Sequence, residues 1–160
     1  MDSKLLALLQ ENALASRDDI ARQLGCTISA VDERIAALEK EGIILGYQAI
    51  LDEERANSKT VNAVIEVRIT PERGGGFDRL AGRISQFSQV KSCHLMSGGY
   101  DLAVVVEGTD LREIAMFVTE KLATIEGVLS TATSFRLKTY KSHGILALGD
   151  VSSGRLPVAP

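Results

Sequence analysis

Residues 97–101 read Ser-Gly-Gly-Tyr-Asp. Gly98 and Gly99 can take positive φ and turn backbone N–H groups toward an anion. Asp101, two residues on, can accept hydrogen bonds from an ammonium group. Together these complement the two halves of an α-amino acid: donors for its carboxylate, an acceptor for its ammonium. Ser97, Ser130, Thr131 and Thr133 offer hydroxyls from adjacent segments, and Tyr100 completes the set. The same residues also suit a tight turn whose aspartate caps its own backbone. Residue chemistry leaves both readings open.

A second group lies near the beginning of the chain. Ser16, Arg17 and Thr27 fall where helices should start, and there hydroxyls and backbone N–H groups can meet phosphate. Ser29, Ala30 and Glu33 belong to the outward surface of the following helix. Contacts from such a surface to base edges give specificity, and a glutamate can accept from cytosine N4. Arg34 is the best base or phosphate ligand of the group, unless surface acids pair with it instead. Charge weighs against tight binding. Residues 1–52 carry five basic side chains against nine acidic ones, although the whole chain has a net charge of only −3. A nucleic-acid module usually shows a basic footprint, and here Asp32, Glu33, Glu39 and Glu41 sit on the helix that should do the reading.

Other chemistries have little support. His94 and His143 are the only histidines and Cys26 and Cys93 the only cysteines. Cys93 and His94 are adjacent, so on a strand they point to opposite faces and would not share a metal easily. The cysteines are too few for a disulfide framework and read as small buried hydrophobes. "RGGGF" lacks the Lys-Ser/Thr of a phosphate-binding loop. No catalytic group, metal or cofactor is expected. No apolar run is long enough to span a bilayer and no basic-apolar leader is evident, so the chain reads as cytoplasmic, without a membrane partner.

The elements that must position these groups follow from hydrophobic period. Leu5, Leu6 and Leu9 predict a helix over 2–11. Ser16 with Asp19 resembles a capping box opening a second helix, with Ile20 and Leu24 on its apolar face and Gly25 at its end. Thr27 then caps a third helix over 28–41, with Val31, Ile35 and Leu38 as its buried stripe. Two helices joined by so short a glycine turn make a helix-turn-helix. "GIILGYQAIL" (42–51) should supply a wing or exit strand and runs into a strand linker over 46–60.

Beyond the linker the period switches repeatedly. "VNAVIEVRI" alternates as a strand, with Ala63, Ile65, Val67 and Ile69 on one face. Phe77, Leu80, Ala81 and Ile84 make a helical stripe after the break "PERGGG". "VKSCHLMS" and "DLAVVVEG" are strands joined by a tight "GGY" connection. Leu111, Ile114, Ala115, Val118, Leu122 and Ile125 form a second stripe, and "VLSTATSFRLKTYK" is the last strand. Strand-helix-strand-strand-helix-strand is the ferredoxin-like βαββαβ order. The fold class is therefore α+β: a winged helix-turn-helix over 1–45, the linker, and a βαββαβ domain over 61–141. The tail, 142–160, should make a short apolar contact and then run loose. Both helices of the second domain cover one sheet face. "LAVVV" and Val64 make the other face apolar as well, which predicts dimerisation through it.

This organisation resembles the Lrp/AsnC (leucine-responsive/asparagine regulator, feast/famine) family over about Asp2 to Lys141. Three stretches carry the likeness: "LLALLQENA"; "DDIARQLG…VDERIAALEKEGIILGYQAIL"; and "SGGYDLAVVVEG", with Gly98, Asp101 and Leu102 at the family's G-x-x-D hairpin. The resemblance implies a transcriptional regulator that binds double-stranded operator DNA with its N-terminal domains. It implies homodimers through the C-terminal sheets, often stacked into octamers. It also implies a small-molecule effector, such as an amino acid, held between C-terminal domains at the G-x-x-D turn. The sequence departs from the family in carrying Ala36 and Ala37 after Arg34, where basic residues are frequent, and Ala13 ahead of the second helix. Fewer phosphate contacts predict weak binding by a single dimer, compensated by multivalency in an oligomer.

Overall fold

The computed structural model describes residues 2–56, 58–70 and 76–147. The chain forms two compact units, Met1–Ile50 and Leu51–Pro160.

The first unit holds α1 (Asp2–Glu11), α2 (Arg17–Leu24) and α3 (Ile28–Lys40). Leu5, Leu9, Ile20, Val31, Ile35 and Leu38 meet in its core. The predicted caps form. Ser16 Oγ accepts from the Asp19 N–H at 3.1 Å and donates to the Asp19 carboxylate at 2.6 Å. Gly25 takes φ +68°, and the Cys26 N–H closes back on Ala21 O at 3.1 Å. This left-handed C-cap lets the chain reverse within two residues and start α3 at once. Thr27 Oγ1 then accepts from the Ala30 N–H at 3.2 Å.

The run after α3 departs from expectation. No strand is formed between α3 and the first strand of the second unit among the described residues. Residues 45–50 carry no regular structure, and Leu45 is 92% exposed. A strand needs a partner for its backbone groups, and none of the described residues pairs with this run.

The second unit contains β1 (Val61–Ile69), α4 (Gly76–Ser85), β2 (Val90–Leu95), β3 (Leu102–Gly108), α5 (Leu111–Met116) and β4 (Val128–Phe135). The sheet order is β2-β3-β1-β4, and every neighbouring pair is antiparallel. Ala63, Ile65, Val67 and Ile69 of β1 alternate inward as predicted and join Leu102, Val104 and Val106 of β3. Leu80, Ile84, Ile114 and Leu122 close the core from the helical side. Cys93 faces this core half-buried, and burial pushes its thiol pKa up. Cys26 is likewise half-buried and free, so neither cysteine is sealed in as expected.

The second helical stripe holds at Ile114, Val118, Leu122 and Ile125, which are buried, and fails at Leu111 and Ala115. α5 passes into a π-helical stretch, Phe117–Leu122, in which the Ala123 N–H bonds back five residues to Val118 O at 2.8 Å. Leu111 and Ala115 are exposed, while Phe117 is buried and meets Phe87 edge-to-face with ring centroids 5.3 Å apart. The last strand is also shorter than predicted. It ends at Phe135, and Lys141–Ser142 instead pairs with Ile145–Leu146 in a separate small ribbon. The expected loose end falls on 148–160, outside the described residues.

Candidate functional site

The β2–β3 connection is longer than a tight hairpin, running from Met96 to Asp101. Its geometry is built around Asp101. The Met96 N–H donates to Asp101 O at 2.8 Å, and the Asp101 N–H donates to Val67 O at 3.0 Å. Asp101 Oδ2 accepts from the Ile69 N–H at 2.8 Å. Backbone and side chain of one residue thus clip the connection to the end of β1. Asp101 caps backbone, but that of a strand remote in sequence rather than its own turn. Its Oδ1 makes no hydrogen bond among the described residues.

Ser97, Gly98 and Gly99 are exposed and Tyr100 is half-buried. The expected positive φ is absent from both glycines, and a Cβ at either would meet nothing within 4 Å. The loop is long enough to turn without them, so nothing within the chain requires glycine there. The hydroxyls predicted to converge on this loop divide instead. Thr131 and Thr133 pair with Val67 and Ile65, which point into the core, so both lie on the helical side of the sheet. Ser130 pairs with Arg68 and lies on the opposite side. Period-two alternation makes such a split inevitable along one strand.

On that opposite face, Val64 lies between Val105 and Ser134, and Glu66 between Ala103 and Ala132. His94 pairs with Ala103 at the same level. Val64 is 38% exposed on this face, whereas Asn62 at its end is buried and bonded to Glu53. Val64 and Val105 make an apolar row on this face, and Glu66 sets a charge between two alanines on the next row.

In the first unit, the proposed DNA-facing side chains are all built into local contacts. Arg17 Nε lies 3.0 Å from Asp32 Oδ1. Ser29 Oγ donates to Glu33 Oε1 at 3.0 Å, and both residues are exposed. Ala30, expected on the outward surface, is half-buried. The exposed positions of α3 are Ile28, Ser29, Asp32, Glu33, Ala36, Glu39 and Lys40.

Arg34 is committed inside the unit. Its Nε and Nη2 reach the two carboxylate oxygens of Asp2 at 2.9 and 2.8 Å, and Nη1 reaches Glu41 at 3.3 Å. The fork-to-fork bond holds the Asp2 carboxyl below the usual aspartate range and keeps Arg34 charged. Its partners come from the start of α1 and the end of α3, so the side chain acts as a clamp between helices. Tyr47 makes a smaller link, its hydroxyl donating to Glu39 at 3.0 Å. Desolvation, then that hydrogen bond, raises the phenol's pKa.

Sequence reasoning missed one further feature. A polar cleft of about 330 Å³ lies between residues 51–60 and the segment after β4. Arg136 bridges it to Glu53 with bonds of 2.8 and 2.6 Å, and Asn62 meets the same carboxylate at 3.3 Å. Glu53 and Arg136 are far apart in the chain, and no local pattern signals their meeting. Among the described residues no group of histidine, cysteine and carboxylates could hold a metal ion. No described helix is long and apolar enough to cross a membrane.

Comparison with known proteins agrees across both units. The family model described as the Lrp/AsnC ligand binding domain matches residues 62–146, and a winged helix-turn-helix DNA-binding model matches 1–44. The HTH-type transcriptional regulator YugG of Bacillus subtilis (strain 168) is 41% identical, covering 99% of this chain and 96% of its own length. The leucine-responsive regulatory protein of Haemophilus influenzae is 27% identical, with coverages of 92% and 89%. Among solved structures, a transcriptional regulator of Neisseria meningitidis in complex with L-Met superposes with a TM-score of 0.65 at 28% identity, covering 87% of this chain and 89% of that one. Both halves of the chain thus match modules of DNA-binding regulators rather than of enzymes, and the protein belongs to the Lrp/AsnC family of transcriptional regulators.

Proposed function

We propose that this chain is a cytoplasmic, homo-oligomeric regulator that reads double-stranded operator DNA with its first unit and senses a small effector, such as an amino acid, with its second. One observation carries the DNA reading: the capped α2–Gly25–α3 turn leaves Ser29, Asp32, Glu33 and Ala36 facing outward, free of the core. Ser16, Arg17 and Thr27 flank that surface as phosphate contacts, while Arg34 serves mainly to hold α3 against α1. Self-association uses the uncovered sheet face around Val64 and Val105, with stacking of dimers toward an octamer. The effector reading rests on the 97–101 loop. Gly98 and Gly99 carry no side chains to obstruct a ligand or a second chain, and among the described residues Asp101 keeps one oxygen unengaged. In support, the Neisseria meningitidis relative was solved with L-Met. Ser130 stands on the uncovered side as a further polar neighbour, whereas Thr131 and Thr133 would contribute only from the helical side.

Gel-shift of the full chain against its own upstream region, across a salt series, tests the first part. A specific shift that weakens with salt is expected. No shift at any salt would leave a sensing module without DNA. Thermal melting against the twenty amino acids tests the second part. A ligand at a hundred times its dissociation constant should add about 2.7 kcal/mol. No change with any amino acid would remove that effector class.

A further inference from the structure

Arg17, at the start of α2, reaches across the outward surface to Asp32 in the second turn of α3, with Nε 3.0 Å from Oδ1. Both side chains stay open to solvent, 39% exposed for Arg17 and 56% for Asp32. Neither belongs to the core of the unit. The other arginines of this unit are paired differently. Arg22 meets Asp18 and Asp19 on its own helix. Arg34 meets Asp2 and Glu41 and ties α1 to α3. Of these pairs, only Arg17–Asp32 joins the two helices of the helix-turn-helix across the surface that would face DNA.

A guanidinium offers the same donors to carboxylate and to phosphate. An acid from the reading helix therefore stands where a phosphate oxygen would sit on Arg17. We propose that Asp32 is an affinity-setting residue: it occupies Arg17 as an internal substitute for phosphate, and DNA must displace it before Arg17 can engage the backbone. This rests on the DNA-binding reading above. On displacement one ion pair breaks and another forms, so Arg17 contributes less than a free arginine would. The acidic reading helix then has a role, which is to hold general DNA affinity down.

Phosphate contacts carry no sequence information, so the test needs no operator. Fluorescence anisotropy with a mixed-sequence duplex would compare the full-length wild type, Asp32→Asn, Arg17→Ala and the double variant over a salt series. Asp32→Asn should bind about two- to fivefold tighter, with a log–log salt slope steeper by up to about 0.9, the value of one whole phosphate contact. In the Arg17→Ala background the same change should bring little gain. A gain of equal size with and without Arg17 would overturn the proposal, because Asp32 would then act by simple repulsion. Unchanged affinity and slope in Asp32→Asn would overturn it too. Absence of binding by all four proteins would overturn the DNA reading itself, and this proposal with it. Melting curves matching wild type would confirm that the exposed Asp-to-Asn change leaves the fold intact.

Discussion

At the residue scale, the two most specific side chains of the sequence turn out to hold the fold together. Arg34 spends its guanidinium on Asp2 and Glu41, so Arg34→Ala should lower the melting temperature of the free protein before any DNA is added. A variant that melts like wild type yet loses DNA would return Arg34 to the interface. The pair also has a pH signature. Asp2 has a depressed folded pKa, so its stabilisation is present above the ordinary aspartate value and is lost as pH falls through the folded one. Wild type should melt above Asp2→Asn at neutral pH, and the gap should close as pH drops below about 4. A gap constant with pH would show that the ion pair is not its source. Asp101 has a comparable double duty. Asp101→Ala leaves the Ile69 N–H without its acceptor, at a cost of about 1–2 kcal/mol in denaturant melts. It should also erase any amino-acid-dependent gain. Erasure without destabilisation would mean that the carboxylate serves the ligand alone.

At the element scale, glycines of similar appearance carry opposite constraints. Gly127, just before β4, takes φ +97°, and a Cβ there would lie 2.9 Å from Leu80 Cδ1. Gly127→Ala should therefore destabilise the second unit by about 1–3 kcal/mol, as measured by urea unfolding. Gly98→Ala meets open space at a non-positive φ and should change the free protein by less than about 0.5 kcal/mol. Its effect should appear only on effector addition or assembly. A large loss of stability in Gly98→Ala would show that the loop needs glycine for its own conformation. The π-helical stretch after Met116 is another such case. Periodicity located the helix, but Phe117 rather than Ala115 or Leu111 faces the sheet. Phe117 lies three residues after Ile114 and extends the same stripe as Val118, Leu122 and Ile125.

At the scale of the whole molecule, the sheet has one finished face and one unfinished face. The helical side is closed by a continuous apolar core. The other side sets Val64 and Val105 in cross-strand register, with Glu66 between Ala103 and Ala132 on the next row. Sedimentation at micromolar concentration should show a dimer or larger. Val64→Glu should shift it toward the 17.2 kDa monomer while leaving the circular dichroism spectrum intact. A wild-type monomer, or a Val64→Glu protein that still assembles fully, would exclude this face. The extended run after α3 belongs to the same scale. Its exposed Leu45 and Leu51 and its lack of a ladder partner are properties of an isolated chain.

The sequence by itself determined whatever rests on local geometry. Caps at Ser16 and Thr27, the left-handed stop at Gly25, the three-helix unit and the order of strands and helices all follow from neighbouring residues and hydrophobic period. The inward alternation of β1 was legible for the same reason. Tertiary structure decided what joins residues distant along the chain: Arg34 with Asp2, Arg17 with Asp32, Asp101 with the Ile69 N–H, and Glu53 with Arg136. It also separated Ser130 from Thr131 and Thr133, because paired register fixes the face each side chain takes. Residue types show which groups can form bonds. Only packing brings particular partners within reach, and a partner within the chain can claim a side chain before any ligand does.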